Sequence, residues 1–191
     1  MKKKLSTVLL STAFTSGVVG IGYVLLGFVP MALFALGFLV GFILWLATRR
    51  QPPFASFKVA FYVTLILFAI HKLEERYLNF FPELSKITGV PMPDTDSAFV
   101  VLLYLFAAAW LLIPYLTSNG LEFGYFLAWT FFASMGIVEL AHFAFPLFTG
   151  RGFGYFPGMA SAVLLVPTAW WGMRCLRVGD RSREVGPTTS S

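Results

Sequence analysis

The only two histidines of this 191-residue chain, His71 and His142, each lie one helical turn from a carboxylate. The first stands in His71-Lys72-Leu73-Glu74-Glu75-Arg76 and the second in Glu139-Leu140-Ala141-His142. Both stretches interrupt long apolar runs in a sequence of which only 12% is charged. Side chains three or four residues apart on a helix share a face, and ionisable groups at membrane depth are costly. Two matched His/Glu pairs therefore point to a site, and three chemistries suit it. His71, Glu74, Glu75, Glu139 and His142 are nitrogen and oxygen ligands suited to iron, manganese or zinc, and helical bundles hold metals with Glu and Glu-x-x-His sets of this kind. Alternatively Glu74, Glu75 or Glu139 works without metal as a general acid or base in isomerising or cyclising a terpenoid, sterol or similar lipid. In the third reading the same groups lock helices together in a structural subunit, or conduct a proton or cation.

The elements that must position these residues are membrane helices. The chain is 58% hydrophobic with a mean hydropathy of +0.78, more apolar than soluble domains. A hydrocarbon core of about 30 Å needs about 20 apolar residues per crossing. Six stretches qualify, at 5–28, 30–48, 55–80, 97–117, 122–148 and 155–177. The expected fold is all-α, a polytopic bundle of six transmembrane helices. It divides into an N-terminal hairpin (1–53), a four-helix domain (54–178) and a disordered tail (179–191). The hairpin turns around Pro30, and its glycines, among them Gly17, Gly37 and Gly41, allow close helix approach. The longest connection, 81–97, is a lid over the site or a plain surface loop.

Charge sets the sidedness. Lys2, Lys3 and Lys4 precede the first span, Arg49, Arg50 and Lys58 lie between the second and third, and Arg174, Arg177, Arg181 and Arg183 follow the sixth. Lys86 and Arg151 alone fall in the opposite loops, with Arg151 near the mouth of the site. By the positive-inside rule both termini are cytoplasmic, which places the chain as a multi-pass protein of a cytoplasmic (inner) membrane. The net charge of +5 follows from this segregation and implies no nucleic-acid partner. The MKKK start resembles a signal peptide but leads into a retained first helix. The lone Cys175 excludes an internal disulfide and a CxxC motif.

The third and fifth helices then run in one direction. Counting at 1.5 Å per residue puts His71 and His142 at depths about 6 Å apart, so both pairs serve one site in the outer half of the bilayer. The 22 Phe, 7 Tyr and 5 Trp line a pocket for a small hydrophobic substrate or face the lipid bilayer.

His71-Lys72-Leu73-Glu74-Glu75 resembles the motif of the HXXEE-domain family of small bacterial integral membrane proteins. The resemblance continues through His142, Tyr155-Phe156-Pro157-Gly158 and Leu164-Leu165-Val166-Pro167, and covers roughly residues 60–177. It implies that His71, Glu74, Glu75 and His142 form the functional core and carries no activity with it. The combined expectation is a metal-dependent membrane enzyme acting on a small hydrophobic or lipid-like substrate. His71, Glu74, Glu139 and His142 serve as ligands, or one Glu as acid/base, with Glu75 a fifth ligand or an orienting group.

Overall fold

The computed structural model describes residues 3–49, 51–91, 98–150 and 152–178. Arg151, the tail 179–191 and the 92–97 part of the proposed lid lie outside them. The described residues form an all-α structure with no strand. Helices α1 (Leu5–Leu26) and α2 (Phe28–Ala47) are joined by Gly27 alone. Its φ of 73° and ψ of −174° suit a residue without a Cβ. The hairpin thus turns at Gly27, and Pro30 sits inside the first turn of α2, where a missing N–H costs nothing.

Helix α3 (Lys58–Tyr77) ends at a turn in which Asn79 is left-handed, φ 59°. A short helix, α4 (Phe80–Thr88), follows and closes on Gly89 at φ 68°. Most of the 81–91 stretch is therefore helical rather than loop. Its Leu84 is buried, and Phe80 and Ile87 pack beside it. Lys86 Nζ and Glu83 Oε1 pair at 2.5 Å on the exposed side.

Helices α5 (Ala98–Ala108) and α6 (Ile113–Ser118) continue one another through a 3-10 turn at Ala109–Leu112. Pro114 explains the tightening, because it has no N–H to return to the carbonyl four residues earlier. Helix α7 (Glu122–Ile137) is the centre of the bundle, buried on every side from Gly124 to Gly136. A helix apolar all round belongs in such a position. Beyond it the chain runs through a 3-10 turn (Val138–Leu140), the single turn α8 (Ala141–Ala144) and a second 3-10 turn (Phe145–Phe148). Helix α9 (Met159–Val178) packs back against α3 and α7.

Close packing depends on a few glycines. A Cβ on Gly41 would lie 2.5 Å from Thr130 Cα, and one on Gly37 would lie 2.6 Å from Ser134 Oγ. These two residues, one turn apart, let α2 press onto α7. The N-terminal hairpin is thereby built into the same core as the rest of the chain. At the end of the bundle away from the histidines, the Lys4 backbone N–H donates to Glu122 Oε2 at 3.0 Å, and Lys3 lies over the Trp45 ring at 5.1 Å.

Among the described residues three stretches are long and apolar enough to cross a membrane, Leu5–Leu25, Glu122–Phe148 and Met159–Val178, against the six expected. Met31–Ala47 and Tyr104–Ser118 are apolar but shorter. Helix α3 has the length, 20 residues or about 30 Å, but carries Lys58, Lys72, Glu74, Glu75 and Arg76. Its departure from a simple span is the site itself. Leu9, Val24, Ile43, Ile66, Leu111 and Leu164 are exposed around the outside, a surface suited to lipid.

Replacing Gly41 with leucine should lower the stability of detergent-solubilised protein by about 1–3 kcal/mol, the cost of overpacking a filled core. Gly20→Ala, with nothing within 4 Å of the new Cβ, should leave it unchanged or raise it by up to about 1 kcal/mol, the helix preference of alanine over glycine. Thermal unfolding of the two variants checks both outcomes.

Candidate metal centre

The last turns of α3 bring His71 and Glu75 onto one face, four residues apart. Glu139 and His142 come from the broken end of the central helix, Glu139 in the 3-10 turn and His142 in α8. The break is stabilised from α9, where Trp170 Nε1 donates to the Gly136 carbonyl at 2.7 Å. The two histidines come together in one site, as their places near the ends of two helical runs predict. Helix α3 ends at Tyr77 rather than near residue 80, so each histidine precedes the end of its helical run by about the same length. The rings are perpendicular, with centroids 4.7 Å apart.

All four side chains are buried, His71 completely and the others at 2–6% exposure. His71 Nε2 lies 3.2 Å from Glu75 Oε1 and 3.0 Å from Glu139 Oε2. His142 Nε2 lies 3.3 Å and 3.0 Å from the same two oxygens. Both nitrogens thus face both oxygens, and the four donors lie within 4.8 Å of one another. Nitrogen–oxygen edges of this length enclose a point about 2 Å from every corner, the distance at which zinc takes imidazole nitrogen and carboxylate oxygen.

Hydrogen bonds fix how each ring meets the carboxylates. His142 Nδ1 faces the Pro157 carbonyl at 2.6 Å. A carbonyl only accepts, so Nδ1 carries a proton, while Nε2 is aligned with Glu139 Oε2 at 3.0 Å, a contact that a ring proton or an ion in its place would fill. His71 Nε2 is within ion-pair distance of two oxygens yet aligned for a hydrogen bond with neither. Such a buried nitrogen needs a partner that the carboxylates do not supply. Lys72 Nζ holds the outer oxygen of Glu75 at 2.6 Å and offsets part of the negative charge.

Glu74 is placed elsewhere. It turns from the other four and receives the N–H groups of Gly158, Ala160 and Ser161 at 3.1, 3.1 and 2.8 Å. The hydroxyls of Ser161 and Tyr155 donate to it as well. It is a carboxylate at the start of α9, where free N–H groups and the helix dipole favour negative charge. The four-donor set therefore comprises His71, Glu75, Glu139 and His142, and Glu75 is a full member of it.

Sequence reasoning gave no role in the site to four contributors, Ser161 and, within the stretch that carries the resemblance, Tyr155, Pro157 and Gly158. The Pro-Gly pair ahead of an apolar run was the available signal, since it marks a helix start. Gly158 has a φ of 95°, and a Cβ on it would strike both imidazoles. Above the site Phe80, Phe145 and Phe156 surround His142 with ring centroids 5.0–6.3 Å away. A cavity of about 270 Å³ borders Pro146, Gly154, Tyr155, Phe156 and Pro157 on that side.

Gly158→Ala should displace both rings and cost about 2 kcal/mol or more, from strain at positive φ and from overpacking. Thermal unfolding in detergent measures it.

A family model described as a protein of unknown function with HXXEE motif matches residues 62–172. The match runs from α3 to α9 and contains every residue of the four-donor set. No curated protein and no solved structure matches the chain.

Proposed function

The chain belongs to the HXXEE family, and from that premise we propose that its motif forms half of a membrane-embedded site for one divalent transition metal. His71 and Glu75 supply two ligands, and Glu139 and His142 the other two. The observation that carries this reading is the set of four N···O distances between 3.0 and 3.3 Å around one point. Two nitrogens and two oxygens in a four-cornered arrangement suit zinc best, with iron and manganese next. Calcium and magnesium prefer six or more oxygens.

The wider reading is a multi-pass protein crossing a bacterial cytoplasmic membrane six times, with the site in the outer half. The apolar helices and the basic residues gathered at the other end support it. We propose a metal-dependent enzyme acting on a small hydrophobic or lipid-like substrate. A catalytic ion needs an open position. Glu75 is placed to give one up, because Lys72 already holds its second oxygen and can keep the carboxylate when it leaves the ion. A bound ion would polarise a substrate oxygen or activate a water. The cavity beside Tyr155 and Pro157 borders none of the four donors, so access from that side would require the aromatic rings to move.

Metal-free acid–base chemistry would need protons shared between the histidines and carboxylates. His142 Nε2 is aligned to share a proton with Glu139 Oε2 at 3.0 Å, but His71 Nε2 is aligned with neither carboxylate, so a metal-free site would work through one histidine and leave the other without a partner.

Elemental analysis of protein purified without chelator tests the metal reading. The wild type should carry close to one zinc, iron or manganese per chain, and His71→Ala and His142→Ala should lose most of it. Acidification should release the ion as the imidazoles take up protons, whose ordinary pKa is about 6.5. Retention of the ion at pH 4, or a wild type without metal, would remove this reading and return acid–base chemistry to first place.

A further inference from the structure

Every glutamate of the HXXEE motif is occupied, but only Glu75 faces the four-donor set. We infer that Glu74 is a positioning residue that acts through Ser161 on His71, fixing which ring nitrogen is free to bind the ion. The inference rests on the metal reading above and adds a division of labour to it.

The argument is one of proton counting. Ser161 Oγ lies against three partners, Glu74 Oε2, His71 Nδ1 at 2.8 Å and, at 3.4 Å, the Gly158 carbonyl, which like Glu74 only accepts. A hydroxyl has one proton to give. Glu74 is charged and already gathers three backbone N–H groups and the Tyr155 hydroxyl, so it can only accept. The serine proton therefore points to Glu74, and Ser161 Oγ is left as an acceptor toward His71. His71 Nδ1 must then carry the ring's proton, and Nε2 is bare where it meets Glu75 and Glu139.

The same outcome is reached at His142 by the Pro157 carbonyl. Both imidazoles thus hold an Nδ1–H directed away from the site and an Nε2 directed into it. Ligating histidines are generally oriented by such an outer partner, and loss of that partner costs about 10–100-fold in metal affinity. The Glu74 network has a second consequence. It ties the start of α9 to α3, and Pro157 and Gly158 lie in the connection that it fixes. One carboxylate thereby sets His71 through Ser161 and holds the segment whose carbonyl sets His142.

The test is zinc titration of the full-length protein in detergent micelles against a chromophoric chelator, with nitrogen NMR of labelled histidine in the zinc-loaded form. Ser161→Ala should weaken zinc binding about 10–100-fold at an unchanged stoichiometry of one. Ser161→Thr, which keeps the hydroxyl, should stay within a few-fold of wild type. The wild-type spectrum should show His71 protonated at Nδ1 and bound through Nε2. Wild-type affinity in Ser161→Ala overturns the relay and leaves the metal site standing. If Ser161→Ala fails to fold, the wild-type spectrum decides, and His71 bound through Nδ1 overturns the inference. A wild type that binds no zinc, iron or manganese removes the metal reading and this inference with it.

Discussion

The structure turns on two carboxylates shared between two imidazoles in a space closed to water. Glu75 and Glu139 each approach both histidines to within 3.0–3.3 Å. In a low-dielectric interior such charges are tolerated only when each is neutralised. Lys72 answers one oxygen of Glu75. A cation held between the four donors, as proposed above, would balance the remaining negative charge. An ion at that centre converts an expensive group of side chains into a stabilising one, because its binding energy is available only to the folded bundle.

The rest of the chain can be understood as holding those four side chains still. The central helix is buried along its length so that its broken end lies deep in the bundle. There the change from α-helix to 3-10 geometry turns Glu139 and His142 toward α3. Trp170 accompanies the break by taking the Gly136 carbonyl. Gly37 and Gly41 bring α2 against the same helix, so the hairpin outside the family match still contributes to its rigidity. Gly158 brings backbone to the edge of both rings. None of these residues touches the proposed ion, yet each limits where a ligand can move.

Much of this was legible in the sequence, for identifiable reasons. Apolar runs mark helices, because hydrocarbon length acts on composition alone. Spacing of three and four residues placed His71 with Glu75 and Glu139 with His142 before any contact was known. Glu74 was harder. It lies 60° around the helix from His71, on the same side as Glu75 by counting, and only the position of α9 sends it elsewhere. Ser161 and the Pro157 carbonyl were not legible as partners, since a hydroxyl in an apolar helix and a backbone oxygen carry no pattern of their own. Helix α4 was hidden by the prolines, glycine and acids of its surroundings, although Phe80, Leu84 and Ile87 already had helical spacing.

X-ray absorption at the zinc edge of the loaded protein addresses the central claim most directly. The account predicts four nitrogen and oxygen neighbours at about 2.0 Å, with the outer-shell scattering of two imidazoles. A shell of six oxygens, or a spectrum with no imidazole contribution, would contradict it.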